Sequence, residues 1–469
     1  MATVPQKSFD RSIVDGPIPA AVWKIAWPSV LQNLIGGLQG LVDHTMVGHY
    51  VGYTGNAAVG VSLQIFLVVI TFVMSVYAGM GVLVARATGA GDAATVNRVV
   101  YQAFLASIVL AVVVLAPIGW FASPFLLGLV HAAPAVQAEA LPYLRTMFVG
   151  GISMMLFFML GGALRSAGDA RTPLRLGVAL TASNVVLNII LIRGLGPIPA
   201  LGTLGAALGT VIAGFISAAI GLWLLMSGRL VVVWRRDMNW RPDWGIMRQL
   251  FRFGLPTGLQ GIAMNVAGVL LLRFMGSLAQ SAETQAAYAI GYTELFSFIT
   301  WTSVGLMGAA AAVAGQNLGA GHPDRAVRAV HVAARFGLGI AAFVGLWFLV
   351  APRVLYGAFG IQDQAVLDVG EQLLRWLAVS GLFITVALTF TGGLQGTGDT
   401  KGPLYISIVS QIVLPLGWCA IMQRTTGLTP GGIWSAILLG HITRATLTVL
   451  RFRRGKWRNI ELGLAPSTG

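Results

Sequence analysis

The sequence has very few groups from which a catalytic, metal or redox centre could be built. Its 469 residues include one cysteine, six histidines and 16 acidic residues, and only 10% of the residues are charged. The single cysteine, Cys419, cannot form an internal disulfide. The sequence has no G-x-x-x-x-G-K-[ST] motif to hold ATP, and its His and Cys residues do not stand at metal-ligand spacing. We therefore expect no enzyme, no metal site and no organic cofactor.

Hydrophobic residues, in contrast, make up 56% of the chain. Apolar stretches of about 20 residues recur along its length, and each is long enough to cross a bilayer core of roughly 30 Å. The twelve stretches cover about 22–48, 57–83, 99–122, 138–162, 173–194, 203–227, 250–276, 285–313, 329–352, 370–394, 403–423 and 429–450. They predict an all-α membrane protein with twelve transmembrane helices. The segment that precedes them has no short apolar core with a cleavage site, so we expect no signal peptide.

The net charge of +14 would suggest a nucleic-acid partner in a soluble protein, but the distribution of the charge argues against one. If the N-terminus is cytoplasmic, 23 of the 30 Lys and Arg residues fall in inside segments, and only Arg193, Arg353 and Arg424 lie clearly in outside loops. Positive charge in cytoplasmic loops sets the orientation of membrane proteins. We therefore expect a multi-pass protein of the cell (inner) membrane, with both termini cytoplasmic and no nucleic-acid partner.

The two halves of the sequence are copies of each other. Three short motifs occur twice, in the same order and at a nearly constant offset: Pro-x-x-Leu-Gln at 28–32 and 256–260, Gly-Ala-Gly at 89–91 and 319–321, and Gly-Asp at 168–169 and 398–399. Six spans per repeat is an even number, so both repeats begin on the same side of the membrane. The repeat predicts two six-helix lobes related by a pseudo-twofold along the membrane normal, with substrate handled between them.

The expected organisation follows from this repeat and from the basic stretch between its halves. The predicted segments are a cytoplasmic N-terminal segment at 1–21, an N-lobe at 22–228, a cytoplasmic linker at 229–249, a C-lobe at 250–452 and a cytoplasmic tail at 453–469. Each lobe would hold six of the twelve spans.

Asp43 stands out among the acidic residues because it lies near the end of the first apolar span. A charge at membrane depth costs roughly 2.5–3.5 kcal/mol on insertion scales, so such a residue usually faces a cavity. At 1.5 Å per residue, Asp43 lies roughly 28 Å past Lys24, in the outer part of the membrane. A carboxylic acid in an apolar setting can bind and release a proton near neutral pH, which predicts a proton-coupling role. The alternative is an interfacial helix cap or an ion pair with Arg145 or Arg193.

Several uncharged polar side chains inside the spans are candidate pocket residues. Asn184 and Asn188 are one turn apart on the fifth span, so they share a helix face and could share a pocket with Asp43. The alternative role for both amides is a hydrogen bond between helices. Gln64, Gln260 and Tyr292 are further candidates for lining a substrate pocket.

One further acid and two prolines complete the set of candidates. Glu294 lies about nine residues into the eighth span and could bind a proton or cation; its alternative is an ion pair with Arg375 or Arg273. Pro28 and Pro256 occupy equivalent positions in the two repeats. Each kinks its helix and could act as a conformational hinge, or could be a static kink.

The repeat motifs resemble those of the multidrug and toxic compound extrusion (MATE) transporters. The first span, with Pro28, Asp43 and Gly48, and the Ala-Ala-Val-Gly sequence at 57–60 are similar to the beginning of that family. Further similar segments lie at 84–91, 162–169, 313–321 and 393–399. The resemblance extends over about residues 20–455, and the order, spacing and duplication of the motifs together make it specific.

The resemblance implies export of lipophilic, often cationic compounds in exchange for H⁺ or Na⁺ by rocking of two six-helix lobes, with Asp43 as the coupling carboxylate of the N-lobe. The fifth-span pattern Asn-x-x-Leu-[Asp/Asn] matches 184–188, and its last position here is Asn, so a second N-lobe acid is absent. In the Na⁺-coupled branch, two C-lobe acids would fall near Met264 or Asn265 and near Ile384. Neither acid is present in this sequence. The resemblance therefore favours the H⁺-coupled, DNA-damage-inducible-F-like branch.

We accordingly predict a secondary active antiporter for multidrug efflux that works by alternating access. Its coupling ion would be H⁺, with Na⁺ as the less favoured choice, and it would use no ATP. We expect it to be a monomer whose partners are lipophilic small molecules and membrane lipids. The alternatives are a Na⁺-coupled drug antiporter, a lipid-linked precursor flippase of the same superfamily, and a membrane-embedded enzyme or channel.

Overall fold

In this computed structural model the described residues are 8–73, 75–130, 133–235 and 238–463, and most of them are helical. The long helices are α1 Ile18–Tyr50, α2 Tyr53–Val73, α3 Ser75–Gly89, α4 Ala93–Leu129, α5 Pro134–Ser166, α6 Arg171–Arg193, α7 Gly202–Met226, α8 Trp244–Gly276, α9 Ser281–Gly319, α10 Pro323–Val350, α11 Gln364–Thr397, α12 Lys401–Thr425 and α13 Pro430–Arg453. Short helices cover Ser12–Asp15, Pro352–Gly357 and Lys456–Asn459. Within these ranges there is no strand, only an isolated bridge between Leu195 and Ile198.

Within the described residues, eleven of these helices are long and apolar enough to cross a membrane, namely all the long helices except α1 and α3. The predicted first span, 22–48, lies in α1, a single helix of 33 residues. At 1.5 Å per residue α1 is about 50 Å long, more than a bilayer core requires. The predicted all-α membrane fold is confirmed. The apolar run of its first span contains two charged residues, Lys24 and Asp43.

The internal repeat is visible in the helix boundaries. Three pairs of helices, α4 with α10, α5 with α11 and α6 with α12, begin at positions related by one constant offset along the chain. Their first residues are Ala93, Pro134 and Arg171 in the first half and Pro323, Gln364 and Lys401 in the second. The duplicated sequence therefore folds into duplicated structure.

The Gly-Asp pairs that the sequence repeats form the turns after α5 and α11. Gly168 and Gly398 have φ of 96° and 107°, a left-handed conformation that favours glycine. The carboxylate of the following residue, Asp169 or Asp399, accepts a hydrogen bond from the backbone amide three residues on. This caps the first turn of α6 or α12 and explains why the same dipeptide ends a helix in both repeats.

The chain divides into two compact units whose boundaries fall inside helices. The first unit is built mainly on Leu31–Gly258, and the second unit on Ser12–Val30 and Leu259–Glu461. Each boundary lies two residues after a proline inside its helix, Pro28 in α1 and Pro256 in α8. The beginning of α1 therefore packs with the second unit, and the beginning of α8 with the first.

Very close backbone contacts hold these two helix beginnings in place. In the first unit, a Cβ added to Gly254 of α8 would lie 1.9 Å from the carbonyl oxygen of Ser75 at the start of α3. In the second unit, a Cβ added to Gly305 of α9 would lie 2.7 Å from Cα of Val30 in α1. Only glycine permits such close approach of two helices. The predicted lobe limits, 22–228 and 250–452, stay predictions. In the packing of the described residues, each unit also includes the first part of a helix from the other repeat.

Each unit has its own apolar core. The core of the first unit includes Phe66 and Phe148, whose rings meet edge to face with centroids 5.5 Å apart. The core of the second unit includes Phe296, Tyr356 and Trp434, each at most 1% exposed. These cores position the polar groups described next, because they fix the helix faces that point inward.

The predicted linker, 229–249, is packed against α4 within the first unit. The side chain of Gln102 accepts a hydrogen bond from the backbone amide of Asp243 (3.1 Å) and donates one to the carbonyl of Arg241 (2.8 Å). Arg98 forms an ion pair with Asp243 at 2.5 Å. The described part of this segment is therefore an ordered component of the first unit.

Candidate functional site

Asp43 lies on α1, half-buried, and two amides of α6 meet its carboxylate. Nδ2 of Asn188 donates a hydrogen bond to Oδ1 of Asp43 over 2.7 Å. Asn184, oriented by its own hydrogen-bond partners, donates to the same oxygen over 3.0 Å. Both asparagines are completely buried. The three residues that the sequence suggested as one N-lobe pocket therefore form one hydrogen-bonded group, in which the carboxylate accepts from neutral donors.

Two further contacts hold this group in position. The carboxamide oxygen of Asn184 accepts hydrogen bonds from Thr210 of α7, 3.1 Å from Oγ1 and 3.2 Å from the backbone nitrogen. One turn away, Oγ1 of Thr181 donates to Oε1 of Gln39 over 2.8 Å, which joins α6 to α1 again. A polar network in an apolar core is specific because every unsatisfied group in it would be costly.

Asn188 keeps one acceptor without a partner. Its Oδ1 is buried and makes no hydrogen bond with any described residue. The space beside this oxygen is set by Gly209 of α7, where an added Cβ would lie 2.1 Å from it. A buried carbonyl oxygen next to a carboxylate can serve a cation or a proton donor that enters the site.

The predicted alternative for Asp43, an ion pair with Arg145 or Arg193, is not formed. Arg145 instead donates from Nε to the carbonyl of Trp120 over 3.1 Å and places its guanidinium over that indole ring. Asp43 instead acts electrostatically on Tyr143, a neutral side chain that is 4% exposed. Asp43 is thus held by neutral partners within the described residues.

The two candidate glutamines have different environments. Gln64 is exposed and makes no hydrogen bond with a described residue. Gln260 is buried and fully engaged, because Nε2 donates to Ser407 over 2.7 Å and Oε1 accepts from Gln395 over 3.0 Å. Gln32, its counterpart in the first repeat, likewise accepts from Arg165 over 3.0 Å. The Gln260 contacts connect α8, α11 and α12, and neither glutamine joins the Asp43 group.

Glu294 lies on α9 within a π-helical turn, Ala289–Leu295, and is half-buried. Such turns are often found at functional sites. The alternative role for Glu294, an ion pair with Arg375 or Arg273, is not observed: Arg375 pairs with Glu371 at 2.6 Å. The carboxylate of Glu294 has no hydrogen-bond or ion-pair partner within the described parts of the chain.

Tyr292, the remaining candidate, belongs to a row of rings in the second unit. We define the aromatic row as Tyr288, Tyr292 and Phe296 of α9 with Trp434 and His441 of α13. Neighbouring rings have centroids 4.8 to 6.3 Å apart and are stacked, except for the tilted pair of Tyr292 and Phe296. Nδ1 of His441 and Oγ of Ser380 share a hydrogen bond of 2.5 Å.

Arg444 lies next to this row on α13 and was not predicted from the sequence as a site residue. It is 1% exposed, and it acts electrostatically on Tyr292. No described residue forms a hydrogen bond or ion pair with its guanidinium. The signal was available in the sequence, because a cation inside an apolar span is expected to be functional or paired.

A surface cavity of about 660 Å³ lies elsewhere in the second unit. Its lining includes Pro17, Pro19, Arg325, Arg328 and Arg335. It combines apolar walls with basic side chains at the first turns of α10, and it shares no residue with the Asp43 group. For the described residues, no cluster of three or more His, Cys, Asp or Glu side chains could hold a metal ion.

The chain is similar over most of its length to proteins of one known family. A family model described as MatE matches residues 28–191 and 256–420. A probable multidrug resistance protein NorM of Deinococcus radiodurans is 30% identical over 446 residues, which is 92% of this chain and 94% of that protein. The corresponding NorM protein of Thermotoga maritima is 25% identical over 446 residues, 92% of each chain.

Two solved structures share the fold. One is an outward-facing multidrug resistance MATE family transporter of the MOP superfamily, with a TM-score of 0.88 at 21% identity, covering 97% of this chain and 100% of that one. The other is a MOP superfamily transporter from Pyrococcus furiosus, described by a reverse polarity of its binding pocket that suggests a different function. Its TM-score is 0.88 at 23% identity, with the same coverage. Both have the two-lobe fold that the repeat predicted.

Proposed function

This chain belongs to the MATE family, and on that premise we propose that it is a secondary active antiporter that exports lipophilic, often cationic organic compounds in exchange for protons. The observation that carries the proposal is the Asp43 carboxylate, half-buried in the first unit with two buried amides donating to it. The names of its relatives, multidrug resistance proteins, support drug efflux as the activity rather than an enzymatic reaction.

Proton binding at Asp43 changes how α1 is held against α6. A charged carboxylate accepts charge-assisted hydrogen bonds from Asn184 and Asn188, which are stronger than bonds between neutral groups. Protonation removes the charge and weakens both bonds. A cationic compound is attracted by the charged form and released by the neutral form, so proton entry and export are linked.

We place the hinges of the transport cycle at Pro28 and Pro256. Each proline removes a backbone hydrogen bond inside its helix, and each stands two residues before a unit boundary. A helix that belongs to one unit at its start and to the other at its end must bend if the units move. The weakened positions at the two prolines are where bending is least costly.

Sodium coupling is the second candidate, and one observation favours it. The buried Oδ1 of Asn188 has no partner among the described residues and lies on the same side chain that donates to Asp43. A carboxylate and an amide oxygen together are suitable ligands for a small hard cation. We favour protons because the site contains a single acid: the last position of the fifth-span pattern, where the family has Asp or Asn, is Asn188 here.

The proposed setting is the cell (inner) membrane, with both termini cytoplasmic, without ATP and as a monomer. The partners are lipophilic small molecules and membrane lipids. The basic cavity lined by Arg325, Arg328 and Arg335 is suited to anionic headgroups, because juxtamembrane Lys and Arg residues attract the anionic cytoplasmic leaflet.

Efflux from liposomes containing the purified protein tests the proposal. Ethidium flux is measured under a proton gradient alone and a sodium gradient alone, for the wild type and for Asp43→Asn. We expect proton-driven flux that falls to background in Asp43→Asn, because the amide cannot carry the proton. Asp368→Asn removes an exposed acid of α11 that pairs with Arg353, and it should leave the flux unchanged.

Three other results would each change the proposed function or its coupling mechanism. Sodium-driven flux that requires Asp43 would replace H⁺ by Na⁺. Proton-driven flux that survives in Asp43→Asn would exclude the first-unit mechanism and make Glu294 the next acid to test. Wild-type protein that moves ethidium under neither gradient would contradict drug antiport and favour a lipid-linked precursor flippase.

A further inference from the structure

The second unit contains a cation that no acid among the described residues balances. The guanidinium of Arg444 is 1% exposed and has no hydrogen-bond or ion-pair partner within the described residues, and Nε and Nη1 are both buried donors. Removing a charge from water without a counter-charge is strongly unfavourable. An arginine that persists in such a place is expected to meet its anion at some stage of the protein's cycle.

The side chains around Arg444 do not supply that anion. Tyr292 is its electrostatic neighbour, and His441, one turn earlier on α13, shares its hydrogen bond with Ser380. Glu294 lies two residues after Tyr292, yet its carboxylate forms no bond with Arg444. The counter-ion therefore comes from outside the described protein groups.

The aromatic row indicates what kind of molecule would carry an anionic group to Arg444. Tyr292 and Tyr288 are nearly parallel, with an interplanar angle of 9°, and Tyr288 and Trp434 differ by only 2°. Parallel rings favour offset stacking with another flat ring system. Trp434 adds a buried Nε1 donor that has no partner among the described residues.

We propose that Arg444 and the aromatic row form a subsite in the second unit for the carboxylate of an aromatic acid. The guanidinium presents paired N–H donors that match a carboxylate in a bidentate arrangement. Tyr288 and Tyr292, the two members of the aromatic row that are only half-buried, accept the attached ring system. This inference rests on the proposed export function and extends its substrates from cationic compounds to zwitterionic and anionic aromatic ones.

Equilibrium binding to the purified protein in detergent tests the subsite without any gradient. The probes are 2-naphthoate and its methyl ester, which differ in the carboxylate charge. We expect the wild type to bind the acid at least tenfold more tightly than the ester. In Arg444→Gln the preference for the acid should disappear. Arg444→Lys keeps the positive charge but not the paired N–H donors of the guanidinium, so it should retain part of the preference.

Arg375→Gln is the matched control, because it removes an exposed arginine of the same unit that pairs with Glu371. It should preserve the preference for the acid. Equal binding of acid and ester by the wild type, or an unchanged preference in Arg444→Gln, would overturn the proposal. Complete displacement of the acid by chloride at its physiological concentration would also overturn it and would assign the site to an inorganic anion.

Ethidium efflux separates this inference from the proposed function. Arg444→Gln should keep the thermal unfolding temperature of the wild type in detergent, which shows that the variant is folded. If the wild type binds naphthoate through Arg444 but exports no ethidium, drug antiport fails while the subsite stands. If Arg444→Gln loses ethidium efflux together with naphthoate binding, Arg444 supports the whole unit and the separate carboxylate subsite is rejected.

Discussion

At the scale of single residues, the two units contain opposite charges in similar settings. The first unit surrounds the carboxylate of Asp43 with neutral amides, whereas in the second unit Tyr292 and His441 are the electrostatic neighbours of the Arg444 guanidinium. Neither charge has an ion-pair partner among the described residues. A charge that is held by neutral groups can exchange its partner, whereas a tight ion pair would resist that exchange.

Replacing Asn188 by Leu should lower proton-driven ethidium efflux about ten- to a hundredfold. The variant removes a 2.7 Å hydrogen bond to Asp43, and hydrogen bonds to charged groups contribute about 1.5–3 kcal/mol. Because leucine is close to asparagine in size, the fold should survive. Initial efflux rates in liposomes at equal protein content measure the effect.

Thr71→Val is a suitable control for this variant. It also replaces a polar side chain in a helix of the first unit, but the hydroxyl of Thr71 bonds only to its own helix, at the carbonyl of Leu67. Efflux within twofold of the wild type is expected. An Asn188→Leu protein as active as Thr71→Val would show that the amide only joins α1 to α6.

Some of these residues could be found from the sequence, and the reasons differ. Asp43 was predictable because an acid inside an apolar span is rare, and Asn184 and Asn188 because their spacing puts them on one helix face. The bond from Asn184 to Thr210 joins helices whose contact depends on packing. Arg444 was overlooked because it was only grouped with the arginines within or at the ends of spans; its burial and its lack of a partner among the described residues depend on packing.

At the scale of helices, the site depends on how closely α6 and α7 approach. An added Cβ on Gly205 would lie 2.5 Å from the carbonyl oxygen of Leu191, and one on Gly209 would lie 2.1 Å from Oδ1 of Asn188. The two glycines are one turn apart, which is the small-residue spacing that allows membrane helices to pack closely. Asn188 thus lies directly against α7 while its amide donates to Asp43 of α1.

Gly209→Ala should therefore damage the site from a neighbouring helix. The added methyl group must displace Asn188 or separate α6 from α7, and overpacking of this kind destabilises by about 1–3 kcal/mol. We expect a lower thermal unfolding temperature in detergent together with slower efflux. Gly128→Ala, where an added Cβ has no neighbour within 4 Å, should change neither property. An equal response of the two variants would contradict the proposed close contact.

At the scale of the whole molecule, the sequence repeat predicted the two-lobe fold but not where each unit begins. The unit boundaries after Val30 and Gly258 fall at equivalent positions of the two repeats, just beyond Pro28 and Pro256. A hydropathy pattern locates spans by composition, so it assigned each helix to one lobe. The assignment of half a helix to the other unit depends on backbone contacts, such as that of Gly305 with Val30, which the pattern does not contain.

This exchange predicts how the halves behave when they are made as separate chains. Residues 1–228 lack the part of α8 that packs on α3, and residues 229–469 lack the part of α1 that packs on α9. Each fragment alone should be degraded or aggregate. Produced together in one membrane, they should copurify through a tag on one fragment and restore measurable efflux.

Fragments with the exchanged segments moved provide the matched comparison. Adding residues 229–258 to the first fragment, and removing them from the second, should raise the yield of the first fragment alone, because its unit regains the start of α8. If the 1–228 and 1–258 fragments accumulate equally when expressed alone, the α8 segment contributes little to the first unit.

The exchange of helix segments between the units also bears on how the protein evolved. It occurs at the same position of both repeats, which is what a common origin of the two copies predicts. A gene that encoded one repeat would have produced a chain whose first half-helix had no place in its own bundle. Such a chain could complete its fold only by trading that segment with a second copy. We infer that the ancestor was a domain-swapped homodimer, and that gene fusion made the swap permanent while leaving each half open to separate specialisation, one around a carboxylate and the other around a guanidinium cation.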